Sequence, residues 1–210
     1  MTKLIIVRHG ESEANEKGVV AGHTDYKLTA LGLEQARQTA AHLAGEQIDL
    51  VCSSDLTRAV QTAEPVAQAR GLQIHTYPEF RETFCGRWEG VTFAYLQEQE
   101  AQTYAEFRDN YMYFTLPEGE SIWDSGVRFY NKVKELAESN PDKTIFIAAH
   151  GAVIRVFWAL LCGTPREKAG ELHPYPSNAS YSVAEYKDGK MVPVEFSHDS
   201  HLTVATHLHI

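Results

Sequence analysis

The sequence predicts an α/β protein, a single domain over residues 1–210 with a mostly parallel central sheet, helices on both faces and an antiparallel hairpin at one edge. Three observations predict it. An apolar run followed by a helical pattern occurs three times, starting at "KLIIVRHG", "DLVCSSD" and "KTIFIAAHG". Such alternation builds parallel sheets covered on both faces. Further along, "SYSVAEYKDGKMVPVEF" alternates on either side of Asp188-Gly189, the mark of a two-residue hairpin. The 210 residues are 43% hydrophobic, enough for one substantial core.

The elements follow in order. Leu4 to Val7 form a buried strand that ends at Arg8, His9 and Gly10. After a loop containing Gly18 and Gly22, a helix runs from about Thr29 to Ala44. Thr29 serves as N-cap, Leu28 and Leu33 as a hydrophobic staple and Gly45 as the stop. Leu50 to Cys52 make the next strand, and the Ser and Asp residues behind it cap a helix ending at Gly71. Leu72 to Thr76 form another short strand. "ESIWDSGVRFYNKVKELAESNPD" is helical, with Ser121 and Asp124 resembling a capping box. No linker, low-complexity tract or fixed-period repeat interrupts this order.

Composition excludes several functions. A net charge of −9 argues against a nucleic-acid partner, because any bound anion must be drawn by a local cluster of cations. Cys52, Cys85 and Cys162 form no CxxC pair and no disulfide framework, which points to a reducing cytoplasm. The first residues lack signal-peptide character, and no apolar run reaches the roughly 18 residues of a membrane span. No P-loop, GxSxG or HExxH occurs. The segment "HDSHLTVATHLHI" holds His198, His201, His207 and His209, with Asp199 as its one carboxylate and no thiolate. It reads as an exposed or adventitiously metal-binding tail.

"LIIVRHG" and "IFIAAHG" echo one another: each is a strand ending in His-Gly, at His9-Gly10 and His150-Gly151. Ligands of open α/β sheets sit outside the carboxyl ends of the strands, so the two histidines can face one pocket. The middle unit ends in "CSSDLTR", which puts Arg58 in the first turn of a helix. Arg8, His9, Arg58 and His150 together suit a phosphate dianion, since the guanidinium fork matches phosphate oxygens. The glycines after the histidines are expected to leave room for a ligand near the backbone.

"LIIVRHGESEAN" resembles the signature of the histidine phosphatase superfamily, the phosphoglycerate mutase-like family. The likeness continues in the family's order through "LTALGLEQA", "CSSDLTRAVQTA", "FRETFCGRWEG", "PEGES" and "IFIAAHGAVIR". It implies a phosphohistidine on His9, with Arg8, Arg58 and His150 holding the phosphoryl group. It also implies that Glu82 is the general acid, and that Asn15, Ser54, Gly151 and the Gly22-His23 segment add phosphate or pocket contacts. Residues 91–120 are implied to be a helical cap insertion that sets substrate choice. Glu89 reads as structural. Neutral imidazole is a good nucleophile and an acceptable leaving group, and fixed cations stabilise phosphoryl transfer without metal or cofactor.

The resemblance admits both hydrolases and cofactor-dependent mutases. Mutases of the family carry a tyrosine before the glycine of the acid motif and an extra basic segment after it. Here Cys85 precedes Gly86, Trp88-Glu89-Gly90 follow, and Arg108 is the only basic residue between Gly90 and Pro117. A phosphatase acting on a small phosphomonoester is therefore expected, ahead of a mutase and of a non-catalytic phospholigand scaffold. The substrate's identity and the choice between monomer and homodimer are open at this level.

Overall fold

The computed structural model describes residues 1–206, so the expectations for His207 and His209 lie outside the described residues. Six strands form one sheet: β1 (Thr2–Arg8), β2 (Leu50–Ser53), β3 (Ile74–Thr76), β4 (Thr144–Ala149), β5 (Tyr181–Lys187) and β6 (Lys190–His198). Their order is β3-β2-β4-β1-β5-β6. The first four run parallel, and the β5–β6 hairpin extends the sheet antiparallel beyond β1. At the hairpin turn Asp188 and Gly189 both take positive φ, 51° and 76°, as a type I′ turn requires.

Eight α-helices surround the sheet: α1 (Glu13–Glu16), α2 (Ala30–His42), α3 (Thr57–Arg70), α4 (Phe93–Gln99), α5 (Ala101–Asp109), α6 (Ile122–Ser139), α7 (Gly151–Leu161) and α8 (Arg166–Leu172). Side chains of successive strand residues point to opposite faces. Leu4 and Ile6 of β1 thus join Ile145 and Ile147 against α6 and α7, while Ile5 and Val7 join Phe146 and Ala148 against α2 and α3. Both faces of the central strands are covered, so their runs are continuously apolar rather than alternating.

The helix starts refine the sequence reading. Thr29 does cap α2, its hydroxyl accepting from Gly32 N at 3.1 Å. At α3, by contrast, Ser54 Oγ accepts from Leu56 N, while Asp25, from a distant loop, accepts from the backbone and hydroxyl of Thr57. Asp55, the expected local cap, is instead held by Arg81.

Register decides the placement of the site. β1 and β4 pair in parallel with Arg8 opposite Ala149, so the residues that follow, His9 and His150, emerge side by side. α7 continues directly from His150 and packs on α6 through Gly126. A Cβ at Gly126 would lie 2.2 Å from Val156 Cγ1, within a fully buried contact. Overpacking such a contact costs about 1–3 kcal/mol, and a β-branched residue brings little helix propensity in return. Gly126→Val should lower the unfolding free energy by an amount in this range, read as a fall in the urea midpoint at unchanged slope. An unchanged midpoint would show that the α6–α7 contact yields freely.

Candidate active site

Arg8, His9, Asn15, Gly22, Arg58 and Glu82 line one pocket outside the carboxyl ends of β1, β2 and β4. His150 lies directly behind His9, fully buried, with ring centroids 5.2 Å apart in an edge-to-face arrangement. His9 Nδ1 is 2.7 Å from the Gly10 carbonyl. A carbonyl only accepts, so Nδ1 carries the proton and Nε2 keeps its lone pair. Neither ring nitrogen of His150 has a partner. Such an orphaned buried pair is costly unless a ligand oxygen completes it.

The guanidiniums are held in the same incomplete way. Arg8 and Arg58 are each 1% exposed, and neither pairs with a carboxylate among the described residues. Arg8 Nη1 donates to Pro176 O at 2.6 Å, and the Tyr175 ring lies 5.0 Å from the guanidinium carbon. Arg58 donates to the carbonyls of Thr24 and Gly22 at 2.9 and 2.7 Å. The Nε of each is buried without a partner. Burial is the first cause, and the Arg58 charge the second, of a strong lowering of both histidine pKa values below the usual imidazole range. Both rings are therefore neutral at pH 7, the form a nucleophile needs.

Glu82 occupies the N-terminus of α7. Its carboxylate accepts from Thr83 N at 3.0 Å, Ala152 N at 3.1 Å and Val153 N at 3.3 Å. Tyr175 OH donates to it at 3.4 Å. Arg81 and Arg87 leave Glu82 alone, being occupied by Asp55 and Glu100. Its backbone is strapped by Arg128 Nη2 and His23 Nε2, both donating to Glu82 O. Glu89 accepts from His23 N, Cys85 N and the Thr24 hydroxyl, and so fixes the loop whose carbonyls hold Arg58.

Four sequence-predicted contacts do not line the pocket, His150 being set behind His9. The Ser54 hydroxyl is spent on the turn into α3, and His23 supports the Glu82 loop. Gly151 is tight against Tyr175, whose ring a Cβ there would meet at 2.0 Å. The glycines after the histidines thus admit protein, not ligand: Gly10 likewise faces the Gly32 backbone at 2.5 Å. Asn15 lines the pocket but also accepts, through Oδ1, from Ser12 N and from Asn178 Nδ2. Sequence reasoning missed Tyr175 and Asn178, the latter also donating to His9 O at 3.0 Å. The available signal was "HPYPSN", a tyrosine between two prolines just before β5.

Residues 4–199 match the model of the histidine phosphatase superfamily, branch 1. The chain belongs to the histidine phosphatase superfamily. Among its relatives is the adenosylcobalamin/alpha-ribazole phosphatase of Escherichia coli K12, 33% identical over 79% of this chain and 81% of the relative. A probable phosphoglycerate mutase of Yersinia pestis is 29% identical over 90% and 86%. Among solved structures, Bacillus stearothermophilus YhfR superposes with a TM-score of 0.90 at 26% identity, covering 96% of this chain and all of YhfR.

The buried histidines of this histidine phosphatase carry a pH signature. Their folded pKa values lie below the unfolded value near 6.5, so the unfolded chain binds more protons in the window beneath it. Stability from this source is complete above about pH 6.5 and is lost as pH falls, by up to about 1.4 kcal/mol per unit for each histidine. Chemical denaturation of the ligand-free protein between pH 7 and 5.5 should show this slope, and the His9→Asn/His150→Asn double variant should show a shallower one. Equal slopes would place both rings in solvent-like surroundings.

Proposed function

We propose that this histidine phosphatase hydrolyses a small phosphomonoester through a phosphohistidine on His9. The observation that carries the reading is the distribution of charge in the pocket. Its only cationic lining residues are Arg8 and Arg58, at the strand ends. The apolar lining is Val19, Val20, Trp88, Phe93, Phe107, Tyr111, Leu116 and Ile122. A mutase must hold a second phosphate while the first is transferred, and that lining offers it no cation. The same lining favours a leaving group with apolar surface and no second anion.

In this mechanism His9 Nε2 attacks phosphorus while the ester oxygen departs. Arg8, Arg58 and the neutral His150 donate to the equatorial oxygens, where charge spreads in the transition state. At the starts of α3 and α7 the N–H groups of Leu56, Thr57, Ala152 and Val153 are already taken by Ser54, Asp25 and Glu82. Glu82 passes a proton to the leaving oxygen and then takes one from the water that attacks the phosphohistidine. Asn15 borders the pocket as a further polar contact. Residues 91–120 act as the cap: α4, α5 and the turn at 111–113 build a small aromatic core around Trp88, whose Nε1 donates to Glu100. Two observations favour metal-free chemistry: the cations already present, and the lack of a divalent-cation ligand set among the residues lining the pocket.

Three measurements test this. A panel of phosphomonoesters, with and without 2,3-bisphosphoglycerate, should release phosphate without the bisphosphate; efficient bisphosphate-stimulated isomerisation of 3-phosphoglycerate would favour a mutase instead. Rapid quench of labelled substrate should trap acid-labile, base-stable label that His9→Ala abolishes together with turnover. Glu82→Gln should slow the burst from an alkyl phosphate by about 10²-fold or more, and that from p-nitrophenyl phosphate much less. Equal slowing of both would assign Glu82 to positioning.

A further inference from the structure

The sequence reads the histidines from His198 onward as a tail, but the fold gives two of them a third partner. His42, the last residue of α2, meets His198, the last residue of β6, and His201 in the turn beyond it. The three rings stack with centroids 4.9–5.9 Å apart. Each offers a nitrogen within 4.8 Å of those of the other two. None of the three lines the phosphatase pocket.

The surrounding hydrogen bonds fix which nitrogens of His201 and His198 carry lone pairs. Thr39 Oγ1 has one hydrogen and two carbonyl acceptors, Gln35 O at 3.1 Å and Ala179 O at 2.9 Å. His201 Nε2, 3.0 Å from the same oxygen, must therefore be the donor to it. That leaves His201 Nδ1 as an unprotonated nitrogen, buried and without a partner among the described residues. His198 Nδ1 lies 2.7 Å from Glu195 Oε1, an acceptor, so it carries the proton and Nε2 is the lone-pair nitrogen, met by the Ser200 hydroxyl at 2.8 Å. His42 Nε2 is 3.2 Å from Tyr181 OH. A carboxylate behind one imidazole and a fixed hydroxyl behind another are the outer partners that orient metal-binding histidines.

We propose that His42, His198 and His201 form a binding site for a divalent transition-metal ion, zinc being the chemical match, separate from the phosphatase pocket. Three imidazole nitrogens with a fourth position open to water are a zinc donor set, and soft thiolates are not needed. Tetrahedral zinc holds its nitrogens about 3.4 Å apart at bond lengths of about 2.0–2.1 Å, so the rings close by roughly an ångström on binding. The ion displaces the Ser200 hydroxyl from His198 and satisfies His201 Nδ1. It ties the end of β6 and the turn after it to the C-terminal end of α2. That turn leads to Thr206, which hydrogen-bonds Asn178, the residue that holds His9 O and Asn15. The site is thus a clasp on the segment bracing the pocket, and phosphoryl transfer does not pass through it.

The test uses the full chain without an affinity tag, stripped with a chelator and titrated with zinc chloride by calorimetry and against a chromophoric chelator. One zinc per chain should bind and raise the melting temperature. His42→Ala, on an exposed helix end and therefore tolerant of change, should abolish stoichiometric binding while leaving the zinc-free melt near that of the parent. Glu195→Gln should weaken binding about 10- to 100-fold, the usual loss when an outer partner of a metal-bound histidine goes. The His207→Ala/His209→Ala double variant should bind as the parent does. No stoichiometric binding, full binding by His42→Ala, or loss confined to the His207/His209 variant would each overturn the site, the last by assigning zinc to the tail.

Discussion

Two guanidiniums are buried at the end of β1 and the start of α3, with no carboxylate in ion-pair contact among the described residues, and much of the architecture around the pocket follows from that burden. Taking an arginine out of water costs several kcal/mol even after relaxation. The fold offsets part of this with dipoles rather than charges: carbonyls of Gly22, Thr24 and Pro176, and the face of Tyr175. A carboxylate partner would serve stability better, but it would also occupy the place of a phosphate. The unpartnered Nε atoms and the bare His150 ring are the part left for a ligand to complete.

The carbonyls must themselves be held, which explains residues that touch no substrate. Glu89 fixes the Gly22–Thr24 loop from beneath, and a Cβ on Gly22 would strike its carboxylate at 2.1 Å. Arg128, braced by Glu120, gathers the carbonyls of Glu79, Arg81 and Glu82 and so aims the Glu82 side chain at the start of α7. Charge is thereby sorted in space. Cations gather at the end of β1 and the start of α3, the carboxylate at the helix beyond β4, and much of the remaining lining is apolar.

The sheet and much of the pocket were legible because their signals are local. An apolar run ending in His-Gly can be read from seven residues, and Asp188-Gly189 announces its own turn. What escaped were partners joined only by the fold. Asp25 caps α3 across 32 residues, Tyr175 reaches Glu82 across 93, and Asn178 reaches His9 across 169. Ser54, His23 and Gly151 were read from motif position alone, and position in a motif does not say whether a side chain faces ligand or neighbouring protein. His42 was not singled out, since nothing nearby in the chain shows that β6 ends against it.

The pairing of β1 with β4 also sets an order of events during synthesis. His9 leaves the ribosome early, yet its neighbour His150 and the strand that aligns them come some 140 residues later. Asn178 and the Thr206 that steadies it come later still. Parallel pairing over such separations is slow, because the intervening loop must be closed before any contact rewards it. A nascent chain therefore carries His9 without the neighbours that complete the pocket, and the site is assembled only after the final strands have docked at the sheet's edge.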